Sequence, residues 1–157
     1  MSERPAPPTR DQFRSLAPLR VRWSEVDPQG IVFNAHYLAW FDIAVTEHMR
    51  AIGFAYPDGF KPYGSDTFAV NAVLNYRASA LFDDELDLGA RISRIGRTSF
   101  AYAFGIFRGD ALLVDGANTY VNGDIETHRP MPVPQEFIEK VEAFEAVAPE
   151  RAAPAPT

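Results

Sequence analysis

Two hydrophobic periods divide this chain. From about Ala35 to Ile52 the period is helical: Leu38, Phe41, Val45, Met49 and Ile52 step by three or four residues. Tyr37, Trp40, Ala44 and Ala51 widen that stripe, leaving a narrow polar remainder of Asp42, Thr46 and Arg50. A helix apolar over most of its girth is expected to be buried. At about eighteen residues it would span roughly 27 Å, enough to cross a small domain. Asn34 is a suitable N-cap, and Gly53 a suitable end. Just upstream, Asp27-Pro28-Gln29-Gly30 spells a turn, with Pro fixing φ at the second position and Gly closing it.

Elsewhere the period is two. Leu19 to Trp23 alternates apolar with basic and predicts a short strand. Four consecutive strands follow a Pro/Gly-containing loop over residues 53–66. Phe68, Val70, Ala72, Leu74 and Tyr76 share one face of the first, before a turn at Asp83-Asp84-Glu85. Leu86, Leu88, Ala90 and Ile92 alternate with polar or small residues in the second. Phe100, Tyr102, Phe104 and Ile106 line the third, backed by Ser99, Ala101, Ala103 and Gly105. Gly109-Asp110 fits a two-residue hairpin leading into Leu112–Val121. Pro134 can open a last helix through Phe137, Ile138, Val141 and Phe144.

The order strand, long helix, four strands, short helix predicts an α+β layer pair: an antiparallel sheet curled round the long helix. One domain is expected over residues 18–146. Residues 1–17, holding Pro5, Pro7 and Pro8, read as a flexible arm, and residues 147–157 as a disordered Ala/Pro-rich tail. Aromatic side chains on one strand face and small ones on the other suggest that both faces are partly covered, which self-association would explain.

Composition narrows function by exclusion. A chain of 157 residues with 46% hydrophobic content can fill a single core. A net charge of −6 argues against a nucleic-acid or anionic-membrane partner. With no cysteine, disulfides, thiol nucleophiles and cysteine–metal sites are out. No apolar leader or membrane-length run is evident, so a cytoplasmic protein is expected. His48 and His128 have no metal-ligand spacing, and no metal or cofactor is expected.

The chemical suggestion lies around the turn and the helix start. A carboxylate, Asp27, beside free backbone N–H groups at a helix N-terminus is the minimum apparatus for acyl hydrolysis: a nucleophile or base plus an oxyanion site. Turn and cap chemistry alone would equally explain Asp27 and Asn34. Glu47 is a rival acid, with an ion pair to Arg50 as its plain alternative. Asp42 belongs either to the helix's polar stripe or to a substrate contact. His36 could assist proton transfer or make a structural contact. Phe60 and Tyr63 could shape a pocket or pack over the helix.

Asp27-Pro-Gln-Gly-Ile-Val-Phe33 with Asn34-Ala-His-Tyr37, supported by Phe41-Asp-Ile-Ala, Ile95-Gly-Arg-Thr-Ser-Phe100 and Tyr76 with Asp83-Asp84-Glu85-Leu86, resembles the hot-dog fold thioesterases of the 4-hydroxybenzoyl-CoA thioesterase-like branch. The resemblance covers roughly residues 18–140. It implies an acyl-CoA thioesterase in which Asp27 is the catalytic acid and the amide at Asn34 binds the thioester carbonyl. It further implies substrate contacts from Gly30, His36, Tyr37, Asp42, Arg97, Thr98 and Ser99. It implies a homodimer or homotetramer with sites at the subunit interface. An acyl-carrier-protein thioesterase and a non-catalytic acyl-CoA-binding module stay open as alternatives; the net charge of −6 disfavours an acidic carrier.

Overall fold

A computed structural model describes residues 6–153. Strand β1 spans Ser15–Arg20, helix α1 His36–Ala51, β2 Ser65–Tyr76, β3 Glu85–Ile95, β4 Ser99–Arg108 and β5 Ala111–Asp124. Helix α2 (Gln135–Phe144) and a two-residue strand β6 (Glu150–Arg151) complete the order. The main sheet runs β1-β3-β4-β5-β2, with every pairing along that path antiparallel. The α+β class and the sheet around a long helix are as the two periods predict.

Helix α1 buries Tyr37, Trp40, Phe41, Ala44, Val45, His48 and Met49. These follow the three-four spacing and form one face. The other face is open: Leu38, Ala39, Asp42 and Ile43 are exposed. The helix is therefore held by the curled sheet along one face and left open along the other. Its central contact is Phe41 stacked on Phe104 of β4, with centroids 4.2 Å apart and planes 6° from parallel. Gly116 of β5 makes room for it; a Cβ there would lie 2.1 Å from the Val73 carbonyl oxygen and 2.8 Å from the Phe41 ring.

The expected strand at 19–23 lies earlier, at Ser15–Arg20. Pro18 falls inside it, which an edge strand tolerates because Pro lacks only a ladder donor. Residues 15–17 of the expected arm therefore lie in this strand. Phe13 is buried on the convex side of the sheet, over the cross-strand glycine pair Gly89 and Gly105 and edge-on to Phe107. Arg10 is paired with Asp87 at 2.6 Å. At the other end, β6 pairs in parallel with β3 and Pro149 is buried, so residues 147–151 belong to the folded body. Residues 1–5 and 154–157 of the two expected extensions lie outside the described residues.

A bulge between Ala69 and Asn71 resets the alternation of β2, leaving Val70, Val73 and Tyr76 59%, 47% and 54% exposed. A second bulge, between Ile92 and Arg94, interrupts the β3–β4 ladder. There the Ile92 amide donates to the Glu145 carboxylate at 2.7 Å. The same oxygen contacts Nε2 of the fully buried His48 at 2.7 Å, and His48 Nδ1 contacts the Tyr102 hydroxyl at 2.8 Å. Burial holds the Tyr102 hydroxyl's pKa well above the ordinary tyrosine range, so it stays protonated. This network ties the end of α2 to α1 and to the sheet. Glu145→Ala leaves two buried donors without a partner, at about 1–3 kcal/mol each. Urea unfolding should show a stability loss of that order; a variant as stable as wild type would mean that the network contributes nothing.

Candidate active site

The turn that carries Asp27 is a small hairpin. Val26 bridges Val32, the Asp27 amide donates to the Ile31 carbonyl at 2.9 Å, and the Phe33 amide donates to the Glu25 carbonyl at 2.9 Å. Its tip is closed by the Gly30 amide donating to the Asp27 carbonyl at 2.9 Å, with Gly30 at φ 77°. The Asp27 carboxylate accepts the Gln29 amide at 2.8 Å, an Asx turn. Asp27 is half-buried.

Helix α1 begins one residue later than the expected cap allows. Ala35, not Asn34, holds the N-cap position, and no side chain caps the helix. An alanine has nothing with which to satisfy the first-turn donors. Asn34 is exposed, and its backbone carbonyl accepts the Tyr76 hydroxyl at 3.2 Å. Neither the Asn34 nor the Ala35 amide has a hydrogen-bond partner among the described residues. Beside Asn34 lies a cavity of about 250 Å³ whose walls include Ile31, Val32, Asn34, Tyr37, Tyr76 and Arg77. Arg77 is held in a bidentate pair with Asp115, at 2.7 and 3.3 Å.

Tyr37 is buried under this cavity. Its hydroxyl accepts the Ala80 amide at 3.0 Å, and its ring meets Trp40 and Tyr76 edge-on at 5.0 and 5.7 Å. Burial raises its pKa, so it is a neutral hydroxyl at physiological pH. His36 is half-buried and packs edge-on to Phe33 at 6.0 Å. Gly30, His36, Tyr37 and Asn34 are thus gathered around one helix end and its preceding hairpin.

The remaining expected contacts are elsewhere. Asp42 is exposed on α1 and lines a separate cavity of about 200 Å³ with Thr46, Tyr56, Thr67 and Tyr120. Arg97, Thr98 and Ser99 form the β3–β4 connection and the start of β4. The Arg97 and Thr98 carbonyls accept the Val133 and Asn122 amides, and Ser99 is opposite Val121, which is opposite Phe68. Tyr76 is eight residues further along β2, so within one chain the two groups are roughly 26 Å apart along the strand. Glu47 pairs with Arg50 on the helix surface, the plainer of its two readings. Among the described residues, no cluster of three His, Cys, Asp or Glu could hold a metal ion.

Sequence reasoning passed over Glu25. Its side chain is buried, accepts the Arg22 amide at 2.8 Å and guanidinium at 2.8 Å, and accepts the Trp40 indole N–H at 3.2 Å. It fastens the Asp27 hairpin to α1. The spacing to Arg22 was visible, but the partner on α1 is fifteen residues away and shows only in the fold.

Comparison with known proteins agrees with this architecture. A model of the thioesterase superfamily matches residues 29–114, more than half of the chain, beginning two residues after Asp27. A protein of Aquifex aeolicus (strain VF5) is 29% identical over 124 residues, 76% of this chain and 91% of its own. The acyl-CoA thioesterase YbgC of Haemophilus influenzae is 23% identical over 119 residues, 76% of this chain and 88% of its own. The crystal structure of the PA5185 protein from Pseudomonas aeruginosa superposes with a TM-score of 0.78 at 26% identity, covering 90% of this chain and 98% of that one. The fold is the hot-dog fold. The chain belongs to the thioesterase superfamily, and the enzyme class is thioester hydrolase. No helix among the described residues is long and apolar enough to cross a membrane.

Burial alone would raise the Glu25 pKa. The hydrogen bonds from Arg22 and Trp40 outweigh it and hold the carboxyl below its ordinary range. A folded-state pKa below the unfolded one gives stability that is fully present above the unfolded carboxylate pKa. That stability is lost as pH falls through the folded value. Glu25→Gln removes this contribution. The stability gap between wild type and variant should therefore narrow on acidification from pH 6 towards pH 3 in denaturant titrations; a gap independent of pH would contradict the assignment.

Proposed function

We propose that the protein is an acyl-CoA thioesterase in which Asp27 attacks the thioester carbonyl or activates the attacking water, while the amide of Asn34 at the start of α1 stabilises the oxyanion. The observation that carries this reading is the uncapped helix end. The Asn34 amide, without a partner among the described residues, belongs to a residue that borders a cavity, and the hairpin that precedes it carries the Asp27 carboxylate. In the reaction the carbonyl carbon gains an oxygen from water, the C–S bond breaks, and a proton passes to the departing thiolate. Donors placed where the oxyanion forms strengthen as charge develops, which is what lowers the barrier. In this reading Gly30 lets the hairpin approach, His36 and Tyr37 border the thioester, Asp42 faces the acyl group, and Arg97, Thr98 and Ser99 contact the CoA.

The two separated groups meet if the enzyme is a two-fold dimer. Strand β2 is a twelve-residue sheet edge with Val70, Val73 and Tyr76 exposed, an edge that proteins ordinarily protect. Antiparallel pairing of two β2 strands about their centre would continue the sheet. It would also bring the end of the second sheet that carries the partner subunit's Arg97 to the same end as Tyr76 and Asn34.

Thiol release from a panel of acyl-CoA esters tests the chemistry. Asp27→Asn should lower kcat by at least about 100-fold, the lower range for a lost acid–base group, with circular dichroism unchanged. Full turnover in that variant would remove Asp27 from the mechanism. Val70→Lys puts a charge on the edge strand and should shift the mass measured by light scattering towards the 17.5 kDa monomer, with activity falling in parallel. A monomer of full activity would refute the shared site.

A further inference from the structure

We infer that Tyr56 is a specificity-determining residue: it walls off the cavity that takes the acyl group and so sets the largest acyl group the enzyme accepts. This rests on the acyl-CoA thioesterase reading proposed above and deepens it by naming where the acyl group ends.

The cavity of about 200 Å³ lies between α1, β2, β5 and the loop that joins α1 to β2. Its walls divide by chemistry. Val45 and Met49 of α1 and Ala69 of β2 are apolar, whereas Asp42, Thr67 and Tyr120 are polar. Tyr120 is only 7% exposed. Its hydroxyl accepts the Asn118 side-chain amide at 3.3 Å and donates to no group among the described residues. A buried hydroxyl proton left over in a cavity wall can be taken up by a bound group. In the two-fold dimer of the reading above, pairing β2 about its centre sets Ser65 opposite Tyr76 of the partner subunit. Thr67 is two residues along the strand, roughly 7 Å. That brings the cavity of one protomer level with the helix start of its partner, where the thioester is held in that reading. An apolar cavity of about 150 Å³ takes one benzene ring. This one has room for a ring-sized or medium-length acyl group and not for a long chain.

On the loop side the cavity ends at one side chain. Tyr56 lines it and is 43% exposed, so the ring stands between cavity and solvent. The loop that carries it is anchored on both flanks. Phe54 and Phe60 are buried and meet each other at 4.9 Å, and they meet Phe137 of α2 at 5.2 and 5.7 Å. Lys140 of α2 donates to the Gly53 carbonyl at 2.9 Å, and the Tyr63 hydroxyl donates to Glu136 at 2.8 Å. Burial, and then the Asp66 carboxylate, raise the Tyr56 pKa, so it is a neutral hydroxyl that can donate to that carboxylate on β2. A wall on an anchored loop does not yield, and a pocket that does not yield rejects added methylenes by overpacking.

The test measures kcat/KM on straight-chain esters from butanoyl- to dodecanoyl-CoA for wild type, Tyr56→Ala, Tyr56→Phe and Asp27→Asn. Binding of S-alkyl-CoA thioethers of the same lengths is measured beside it by calorimetry. Wild type should lose kcat/KM steeply beyond octanoyl. Tyr56→Ala should raise the dodecanoyl-to-butanoyl ratio at least about 10-fold, the lower range for size discrimination in an apolar pocket. Tyr56→Phe keeps the ring and should keep the wild-type ratio. A wild-type ratio in Tyr56→Ala overturns the inference, as does a ratio that rises equally in Tyr56→Phe, since the ring would then not be the wall. The two readings separate in the same experiment. An inactive Asp27→Asn beside an unchanged ratio in Tyr56→Ala overturns the size limit alone. Full turnover in Asp27→Asn beside a raised ratio in Tyr56→Ala overturns the role of Asp27 alone. If wild type releases no thiol, the thioethers decide: tighter binding of the dodecyl thioether to Tyr56→Ala than to wild type supports the wall, and equal binding overturns it.

Discussion

The seating of α1 in the sheet governs everything else in this molecule. Phe41 stacks on Phe104 at the middle of the helix, over a strand position that only glycine can occupy. Burying such a side chain is worth about 1.5–3 kcal/mol, and the aromatic pair adds about 0.5–1.5 kcal/mol. More important is the geometry. One face of the helix is committed to the sheet, so its axis and rotation are set. Its N-terminus then falls beside the end of β2, where Tyr76 and Arg77 stand. The candidate oxyanion site is thus a consequence of core packing, its donor lying in the turn that leads directly into the docked helix.

The sequence was most legible where one period ran uninterrupted. The inner faces of β3 and β4, the Gly109-Asp110 hairpin and the buried side of α1 all follow from spacing. It was least legible where a local rule was overridden by a distant partner. Asn34 has the right chemistry for a cap, yet its backbone is engaged by Tyr76 and the helix starts one turn position later. The alternation in β2 does not reveal a bulge that turns Val70 and Val73 outward. The arm around Phe13 looked free because its seat, a pair of glycines on neighbouring strands, exists only after β3 and β4 have paired. Of the candidate site, the hairpin and helix start could be read from the Asp27–Tyr37 motif, whereas the anchors Glu25 and Tyr76 could not.

Two buried acids do related work in this fold. Glu25 joins the Asp27 hairpin to α1 through Arg22 and Trp40, and Glu145 joins the end of α2 to α1 and β3 through His48 and the Ile92 amide. Both carboxylates receive donors from more than one segment. A carboxylate suits this role because its two oxygens can accept several hydrogen bonds at once. The penalty of burying it is offset only when those donors are in place. Each acid therefore specifies where two segments meet as well as stabilising the contact. Without the Glu25 tie, the Asp27 hairpin would be held to the body by the Val32–Ala80 backbone bond and by the packing of Val26 and Val32 on the core.

The open edge of β2 connects this internal order to assembly. A sheet of this length has two edges, and they differ. At β1 the edge carries Pro18, which cannot donate to a further strand, and Arg20, which is paired with Asp83 and Glu85. At β2 the edge carries exposed valines and a tyrosine and has no proline within it. The first edge is defended against pairing and the second invites it. The residues that the family resemblance assigns to one active site lie level with opposite ends of that inviting edge, Arg97 to Ser99 two strands in from it, and a two-fold axis through its middle is the symmetry that superimposes one end on the other. On the proposed reading, an undefended β2 is the feature through which two chains would complete the site.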